Sequence, residues 1–237
     1  ESIFGLLTKA RLLELADKEK PLIRRLSLEA PGTFEHTLLI CGLAEEATRM
    51  IGGDIDLIKT GALYHDVGKL HAPNWFIENQ DGSINPHDEL SPKESAQIII
   101  DHVIKGVELA KKYNLPDRVI DFIRTHHGTS FVRYFYNKQM ELTTEFDPSD
   151  FMYNGPKPFS KETAILMMCD SVEAASKSLK EPTSTKINAF VDNIVANQIK
   201  DAQFLNANIT SSTALPRVII NLVIFGSVTV IGLLFII

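Results

Sequence analysis

The sequence has few cysteines, and they are not arranged for cross-linking. Its 237 residues include only Cys41 and Cys169, which lie far apart and form no CxxC spacing. This excludes a disulfide-stabilised scaffold and a thiolate zinc site, and it is typical of a protein in a reducing compartment. Both cysteines lie in apolar, helix-like stretches, which predicts buried and unreactive thiols.

The sequence also lacks an excess of positive charge, with 24 Lys and Arg against 30 Asp and Glu and a formal net charge of -6. Such a chain is not expected to bind nucleic-acid polymers non-specifically, because that requires a broad basic surface. Small anionic substrates remain compatible with this charge, since bound cations can supply local positive charge. The length and the 44% of hydrophobic residues suffice for one large domain or two small ones with a buried core.

No secretory signal sequence precedes Glu1, so we expect the chain to be part of a longer protein. Residues 218–237 carry no charge at all. A helix of this length spans about 30 Å, the thickness of the hydrocarbon core of a bilayer. Arg217 precedes the segment, where a basic residue marks the cytoplasmic side. We therefore predict a transmembrane helix, with a buried core helix or strand as the alternative because many of these residues are β-branched.

Helical periodicity predominates before this segment, and no stretch shows the alternation of a β-strand. The pattern predicts an all-α fold, with residues 1–205 as one domain, 206–217 as a linker and 218–237 as the possible transmembrane helix. Caps and turn signals predict that residues 71–90 and 141–159 are irregular, the second being a lid or an insertion. The predicted helices cover residues 3–19, 33–51, 56–69, 91–113, 116–127, 129–138, 160–179 and 184–200. Pro21 is expected to stop the first of them, and Thr33 and Ser160 are expected to be N-caps.

Several histidines and aspartates occur where the surrounding sequence is apolar. His65 and Asp66 lie in ALYHDVGKL, His102 lies in IIIDHVIKG, and Asp170 lies in ILMMCDSVEAA. Each histidine alone would be read as a core residue. Asp170 has no basic residue within one helical turn, so if buried it must be paired, protonated or bound to metal. Neutral imidazoles and carboxylates together are ligands for Fe, Mn or Zn.

A centre with two metal ions accounts for the adjacent pair His65-Asp66. Neighbouring helical residues diverge by about 100°, so both reach a single ion only if it lies between their directions. Two ions about 3.5–4 Å apart relax this constraint, because Asp66 can bridge them through its two oxygens. Five histidines and two aspartates suit two ions that keep open positions. The candidate ligands are His36, His65, Asp66, His102, His126, His127 and Asp170.

The order H…HD…H…HH…D of these residues resembles the HD-domain metal-dependent phosphohydrolases with a dinuclear site. The strings EAPGTFEHT, GALYHDVGKL, FIENQDGSINPHDELSP and THHGTS are similar to those of one membrane-anchored group, the 7TM-receptor HD or PgpH-type cyclic-di-AMP phosphodiesterases, over roughly residues 1–205. The apolar segment departs from this group, whose HD domain follows its membrane helices. The sequence reads HHGTS where HD-GYP enzymes carry their GYP motif, and the paired histidines differ from the mononuclear HD enzymes, including the alarmone hydrolases.

The resemblance implies an all-α helical bundle that hydrolyses cyclic-di-AMP to linear 5′-pApA with two divalent ions, Fe or Mn. It implies that His36, His65, Asp66 and Asp170 hold one ion, and that Asp66, His102, His126 and His127 hold the other. The expected location is the cell membrane, with the HD domain in the cytoplasm, and a homodimer is left open. The alternatives are a phosphohydrolase of the same fold acting on another nucleotide, and a non-catalytic nucleotide sensor, which would be expected to have lost ligands.

Asp66 and Lys69 are the candidate catalytic residues. Lys69 follows Asp66 by one turn and is expected to hold a phosphate oxygen or to offset developing charge, with a solvated helix end as the alternative. Loops commonly carry ligand contacts. The expected substrate-binding residues are Lys69, His71, Asn79, His87 and Thr129. The aromatic residues Phe131, Tyr134 and Tyr136 are read either as a stacking surface for adenine or, more simply, as core.

Overall fold

A computed structural model describes residues 7–82, 84–176, 189, 192 and 193. In this part of the chain the structure is helical, and the β pairing is limited to one bridge between Phe131 and Met152. The predicted all-α fold class is thus confirmed. The α-helices of the described residues are α1 (Lys9–Leu15), α2 (Pro21–Glu29), α3 (Pro31–Ile51), α4 (Ile55–Tyr64), α5 (Pro92–Lys112), α6 (Asp117–Thr125), α7 (Arg133–Leu142) and α8 (Lys161–Ser176).

Five short 3₁₀ helices connect the α-helices in the same described residues. They are Val67–His71, Pro73–Trp75, Ile77–Asn79, Pro86–Glu89 and Pro148–Phe151. Three of them lie within the segment 71–90 that is predicted to be irregular, and the first, Val67–His71, ends where that segment begins. Most of the predicted helix 184–200, the linker 206–217 and the apolar segment 218–237 lie outside the described residues. Among the helices that are described, none combines the length and apolarity needed to cross a membrane.

The described residues divide into two compact units. Those before residue 40 and from 60 to 157 form the first unit, and those from 40 to 59 and after 157 form the second. Helices α3 and α4 each contribute residues to both units. The single domain 1–205 stays a prediction.

The first helix is shorter than predicted. It ends at Leu15 rather than near residue 19. The side chain of Asp17 accepts a hydrogen bond of 2.9 Å from the backbone N–H of Glu19, a local turn that competes with continuation of the helix. Pro21, which was predicted to stop the first helix, instead opens α2, because the first turn of a helix does not need the missing N–H.

Helix α3 starts two residues before the predicted cap. It begins at Pro31, so the prediction of Thr33 as N-cap is wrong and this residue lies in the first turn. Its side chain is buried, and its hydroxyl donates a 3.0 Å hydrogen bond to Oε1 of Glu78. Gly32 lets the backbone of Glu78 approach the helix, since a Cβ at this position would collide with the Glu78 carbonyl. The 3₁₀ helix Ile77–Asn79 is thereby docked on the start of α3.

Helix α4 ends earlier than the predicted residue 69. It stops at Tyr64, the chain turns at His65-Asp66, and the 3₁₀ helix Val67–His71 follows. Gly68 explains the change, because its backbone packs directly on α5 at the His102 carbonyl, where any side chain would collide. His65 and Asp66 therefore sit at a junction between two elements rather than within one α-helix.

Helices α5 and α6 lie where the sequence predicts them. Ser91 caps α5 with a capping box, in which its Oγ accepts the Glu94 N–H at 3.3 Å and the Glu94 carboxylate accepts the Ser91 N–H at 3.0 Å. Pro116 precedes α6, and the helix ends at Thr125. His126 and His127 follow immediately, so the paired histidines lie at the end of the helix as the sequence predicts.

The helix predicted to begin at residue 129 begins at Arg133 instead. Residues 129–132 pair with the segment that follows α7: the Val132 N–H donates to the Phe151 carbonyl at 2.8 Å, and the Tyr153 N–H donates to the Ser130 carbonyl at 2.9 Å. Phe151 packs in a cluster with Ala96 and Phe135. The predicted irregular segment 141–159 is therefore partly built into the core of the first unit.

In the second unit, the connection between α3 and α4 is tied to the start of α8. The Glu162 carboxylate accepts the Asp54 N–H at 3.0 Å, and the Lys161 ammonium donates to the Gly52 carbonyl at 2.8 Å. Ser160 caps α8 as predicted, because its hydroxyl accepts the Thr163 N–H at 3.2 Å. This helix positions Asp170 and Cys169.

The two cysteines are buried and no disulfide joins them, which confirms the sequence prediction. Burial, together with the nearby charge of Asp170, raises the pKa of the Cys169 thiol to about 12. A thiol with such a pKa stays protonated at neutral pH, so it is a poor nucleophile there.

Candidate metal centre

Six of the seven predicted ligands belong to the first unit, and they form two groups. Within each group, one ligand atom per residue lies within 4.8 Å of those of the other members. His127 is half-buried and the other five are buried. The first group is His36, His65 and Asp66, and the second is His102, His126 and His127.

The carboxylate of Asp66 lies between the two groups. Its Oδ2 is 3.7 Å from Nε2 of His36 and 3.4 Å from Nε2 of His65. Its Oδ1 is 3.5 Å from Nε2 of both His102 and His126. Each oxygen thus faces a different pair of imidazoles. This is the arrangement that a bridging carboxylate needs, and the bridging role itself stays a prediction.

Three of the imidazoles are oriented by their own backbone. Nδ1 of each ring lies close to the carbonyl three residues earlier, at 2.7 Å for His65, 2.5 Å for His102 and 2.8 Å for His126. A carbonyl only accepts, so we assign the proton to Nδ1 in each ring. In the neutral form, Nε2 then presents a lone pair towards Asp66, as in histidines that bind metals.

The donor set fits a divalent cation. Nε2 of His102 and Nε2 of His126 are 3.1 Å apart, and with both protons on Nδ1 two lone pairs would face each other. This contact is repulsive unless positive charge lies beside it. Burial lowers the pKa of His102 to about 3, so this ring is neutral and available as a ligand at neutral pH.

Lys69 adds a permanent positive charge to the site. Its Nζ is 2.8 Å from Oδ2 of Asp66 and 2.7 Å from Oε1 of Glu78, and its side chain is only 14% exposed. The alternative of a solvated helix end is therefore wrong. Burial alone would lower the pKa of Lys69, but the two carboxylates outweigh it and raise the pKa above its ordinary value.

The Asp66 carboxylate is ionised in this environment. Burial favours the protonated acid and by itself raises the pKa of Asp66. The nearby positive charge of Lys69 outweighs burial, so the pKa of Asp66 lies well below its ordinary range. The carboxylate is thus ready to act as a ligand.

Two of the predicted substrate-binding residues hold other parts of the protein. The Asn79 amide accepts the Thr33 N–H at 3.0 Å and donates to the Thr33 hydroxyl at 2.9 Å. His87 is buried beside the rings of Trp75 and Phe135, at 5.1 and 4.9 Å between centroids, and its Nε2 lies 2.9 Å from the Trp75 carbonyl. Both side chains stabilise the 71–90 segment, and their contact with substrate stays a prediction.

The remaining substrate-binding candidates lie elsewhere in the first unit. His71 is exposed and lines a cavity of about 240 Å³ together with Arg25, Lys105 and Lys112. Thr129 is half-buried, next to the turn at Gly155. Their roles stay predictions as well.

The aromatic residues after the histidine pair separate into two kinds. Phe131 and Tyr136 pack on the cluster around Phe151, with 4.9 Å between their own ring centroids. This favours the core interpretation for both. Tyr134 is 62% exposed and belongs to the surface.

Sequence reasoning missed Tyr153 and Glu78. The Tyr153 ring stacks on His127, with 4.1 Å between centroids and 20° between planes. It lies in the irregular segment, where periodicity carries no signal. Glu78 is part of the string FIENQ that contributes to the family resemblance, but nothing in its sequence context indicated an ion pair with Lys69.

Asp170 lies on α8 in the second unit and is buried. Its assignment as the seventh ligand stays a prediction.

Residues 33–175 match the family model described as HD domain. The chain is 43% identical over 210 residues to the cyclic-di-AMP phosphodiesterase PgpH of Listeria monocytogenes, with 89% of this chain and 29% of that protein covered. It is 41% identical over 210 residues to the PgpH of Bacillus subtilis, with 89% and 30% covered. The chain therefore spans less than a third of the length of these relatives. Its fold matches the crystal structure of the L. monocytogenes PgpH HD domain in complex with cyclic-di-AMP, with a TM-score of 0.78, 38% identity and coverage of 89% of this chain and 96% of that chain.

Proposed function

This chain belongs to the HD domain family, and from that premise we propose that it is a metal-dependent phosphodiesterase that hydrolyses cyclic-di-AMP to linear 5′-pApA. The observation that carries the proposal is the arrangement around Asp66, whose two oxygens face two separate groups of imidazoles. Relatives at about this identity are named as phosphodiesterases for this substrate, and the similar HD domain was crystallised with it.

HD domains bind divalent metal ions, and the two groups of histidines with Asp66 fit such ions. His36, His65 and Asp66 would hold one ion, with Asp170 as the proposed further ligand. Asp66, His102, His126 and His127 would hold the other. We propose Fe or Mn, because an all-imidazole and carboxylate donor set suits them. Two bound ions would polarise a phosphate oxygen and lower the pKa of an attacking water.

The chain's own groups prepare the site for an anionic substrate. Asp66 is ionised and His102 is neutral at neutral pH, so neither needs to release a proton before it binds a cation. The Lys69 ammonium lies beside Oδ2 of Asp66. A fixed positive charge there would stabilise the negative charge that develops on the phosphate oxygens during hydrolysis. Its low exposure increases this effect, since water screens it little.

The proposed cellular setting is the cytoplasmic face of the cell membrane. It is supported by the uncharged segment 218–237 with Arg217 before it, and by two cysteines that form no disulfide. The proposed partners are the cyclic dinucleotide and the membrane, with a homodimer as a further proposal that a sedimentation measurement would test.

The decisive test is hydrolysis by the purified chain loaded with Fe²⁺ or Mn²⁺, with products separated by chromatography. We expect cyclic-di-AMP to yield 5′-pApA, and cyclic-di-GMP, a matched cyclic dinucleotide, to react more slowly. Asp66→Asn keeps the volume of the side chain and should abolish turnover.

Two results would overturn the proposal in different ways. Faster hydrolysis of another nucleotide would indicate a phosphohydrolase of the same fold with a different substrate. Binding of cyclic-di-AMP to the fully metallated chain without turnover would indicate a nucleotide sensor.

A further inference from the structure

Glu78 joins two parts of the metal centre that are distant in sequence. Its Oε1 is 2.7 Å from Nζ of Lys69 and accepts a 3.0 Å hydrogen bond from the Thr33 hydroxyl. The Lys69 ammonium also contacts Oδ2 of Asp66, at 2.8 Å. A chain of polar contacts therefore runs from the first turn of α3 through Glu78 and Lys69 to the central carboxylate.

This chain of contacts fixes the start of the helix that carries His36. Asn79, the next residue, makes two hydrogen bonds to Thr33, and Gly32 permits the close backbone approach. His36 lies three residues after Thr33, so it is on the neighbouring turn of α3. Its Nε2 faces Oδ2 of Asp66, which is the same oxygen that Lys69 contacts.

The shared oxygen creates a competition. A cation held by His36 and His65 would use Oδ2 of Asp66, and the Lys69 ammonium is already beside it. Two positive charges at one oxygen repel each other. A second carboxylate that attracts the ammonium offsets this repulsion. Glu78 supplies that carboxylate at a slightly shorter distance. Burial raises the pKa of Glu78, but Lys69 outweighs it and keeps the group ionised.

We infer that Glu78 is a positioning residue that draws Lys69 away from Oδ2 of Asp66, so that a cation can bind on the His36 and His65 side while Lys69 stays in the site. The inference rests on the proposed metal-dependent function, and it assigns to Glu78 a role that acts only through Lys69. Groups that contact a metal ligand rather than the metal itself typically change metal affinity by about 10–100-fold.

The test compares Glu78→Gln with Glu89→Gln, which removes the same charge from an exposed residue of the 3₁₀ helix Pro86–Glu89. Mn²⁺ is titrated into each metal-free protein by calorimetry, and His36→Ala and His102→Ala identify the two binding steps. We expect Glu78→Gln to weaken Mn²⁺ binding at the His36 and His65 side about tenfold or more. Its effect on Mn²⁺ binding at the His102 side should stay within a factor of about two. Glu89→Gln should change neither step.

A double-mutant cycle separates positioning from a general structural effect. In a Lys69→Gln background there is no ammonium to draw away, so Glu78→Gln should no longer weaken the His36-side step. Acylation of Lys69 by acetic anhydride, followed by mass spectrometry with Lys105 as reference, should be faster in Glu78→Gln, because one of its two carboxylate partners is gone. This second readout needs neither metal nor activity, and circular dichroism melts report whether the variants fold.

The inference is overturned if both metal steps weaken equally, if neither changes, or if the loss persists in the Lys69→Gln background. A wild-type chain that binds two ions but hydrolyses no cyclic dinucleotide would refute the proposed function alone. The effect of Glu78→Gln on metal affinity and on Lys69 acylation would still decide the role of Glu78.

Discussion

Tyr153 lies flat on His127, with 4.1 Å between ring centroids and 20° between planes. Its backbone is held by the hydrogen bond to Ser130 and by the bridge between Phe131 and Met152. The segment after α7 thus reaches the metal centre with an aromatic ring. His127 is the half-buried member of its group, so the stacked ring covers the predicted ligand that is least buried among the three.

Replacing Tyr153 should loosen His127. We expect Tyr153→Ala to weaken the metal step on the His102 side about tenfold, because the unsupported imidazole must be ordered on binding. Tyr153→Phe keeps the stacked ring and should stay within about threefold of wild type. Calorimetric titration with Mn²⁺ gives both affinities, and equal losses in the two variants would contradict the stacking role.

Replacing Asp66 and replacing His102 should differ in the number of metal ions that the chain loses. Asp66→Ala should lose both ions and nearly all turnover, because it is the only carboxylate assigned to both. His102→Ala should mainly lose one ion and leave the other partly occupied. Elemental analysis of the purified variants measures this directly. A full metal complement in Asp66→Ala would refute the bridging assignment.

Lys69 should affect turnover more than metal content. Lys69→Ala removes no predicted ligand, so about two ions per chain should remain while kcat falls by about 10–1000-fold. Single-turnover hydrolysis and elemental analysis on the same sample separate the two effects. Lys93→Ala, which removes an exposed lysine paired with Asp150, serves as the control.

The metal-free protein should lose stability as the pH falls. Burial lowers the pKa of His102 to about 3, against about 6.5 in an unfolded chain, so between these values the unfolded state binds more protons. Stability from this group is complete above pH of about 6.5 and declines by up to about 1.4 kcal/mol per pH unit towards about 3. Urea unfolding at several pH values measures the slope, which should be smaller in His102→Gln.

The two glycines Gly68 and Gly42 should respond oppositely to the same substitution. A Cβ at Gly68 would collide with the α5 backbone, so Gly68→Ala should cost about 1–3 kcal/mol or more and displace the 3₁₀ helix Val67–His71. A Cβ at Gly42 meets nothing within 4 Å on α3, so Gly42→Ala should be neutral or stabilise by up to about 1 kcal/mol. Denaturant melts of the two variants make the comparison.

The sequence predicted which residues lie close together better than it predicted the elements that carry them. Burial of imidazole and carboxylate groups in apolar stretches is a local signal, and it located His65, Asp66 and His102. The end of α4 was not predictable, because it depends on the approach of Gly68 to α5, a contact between residues far apart in the sequence. Thr33 was misread for a similar reason: its hydroxyl is used by Glu78, 45 residues later, instead of by its own helix.

In three histidines, Nδ1 contacts the backbone carbonyl three residues earlier. The orientation of each ring is therefore set within a single turn of the chain. An arriving cation therefore finds rings whose rotation is already restricted before it binds. Immobilising a side chain on binding costs about 0.5–1.5 kcal/mol, and here folding of the helices has met much of that cost in advance. The protein should consequently bind its ions with little rearrangement of these three side chains, and the directions already set by the rings should favour ions whose coordination geometry matches them.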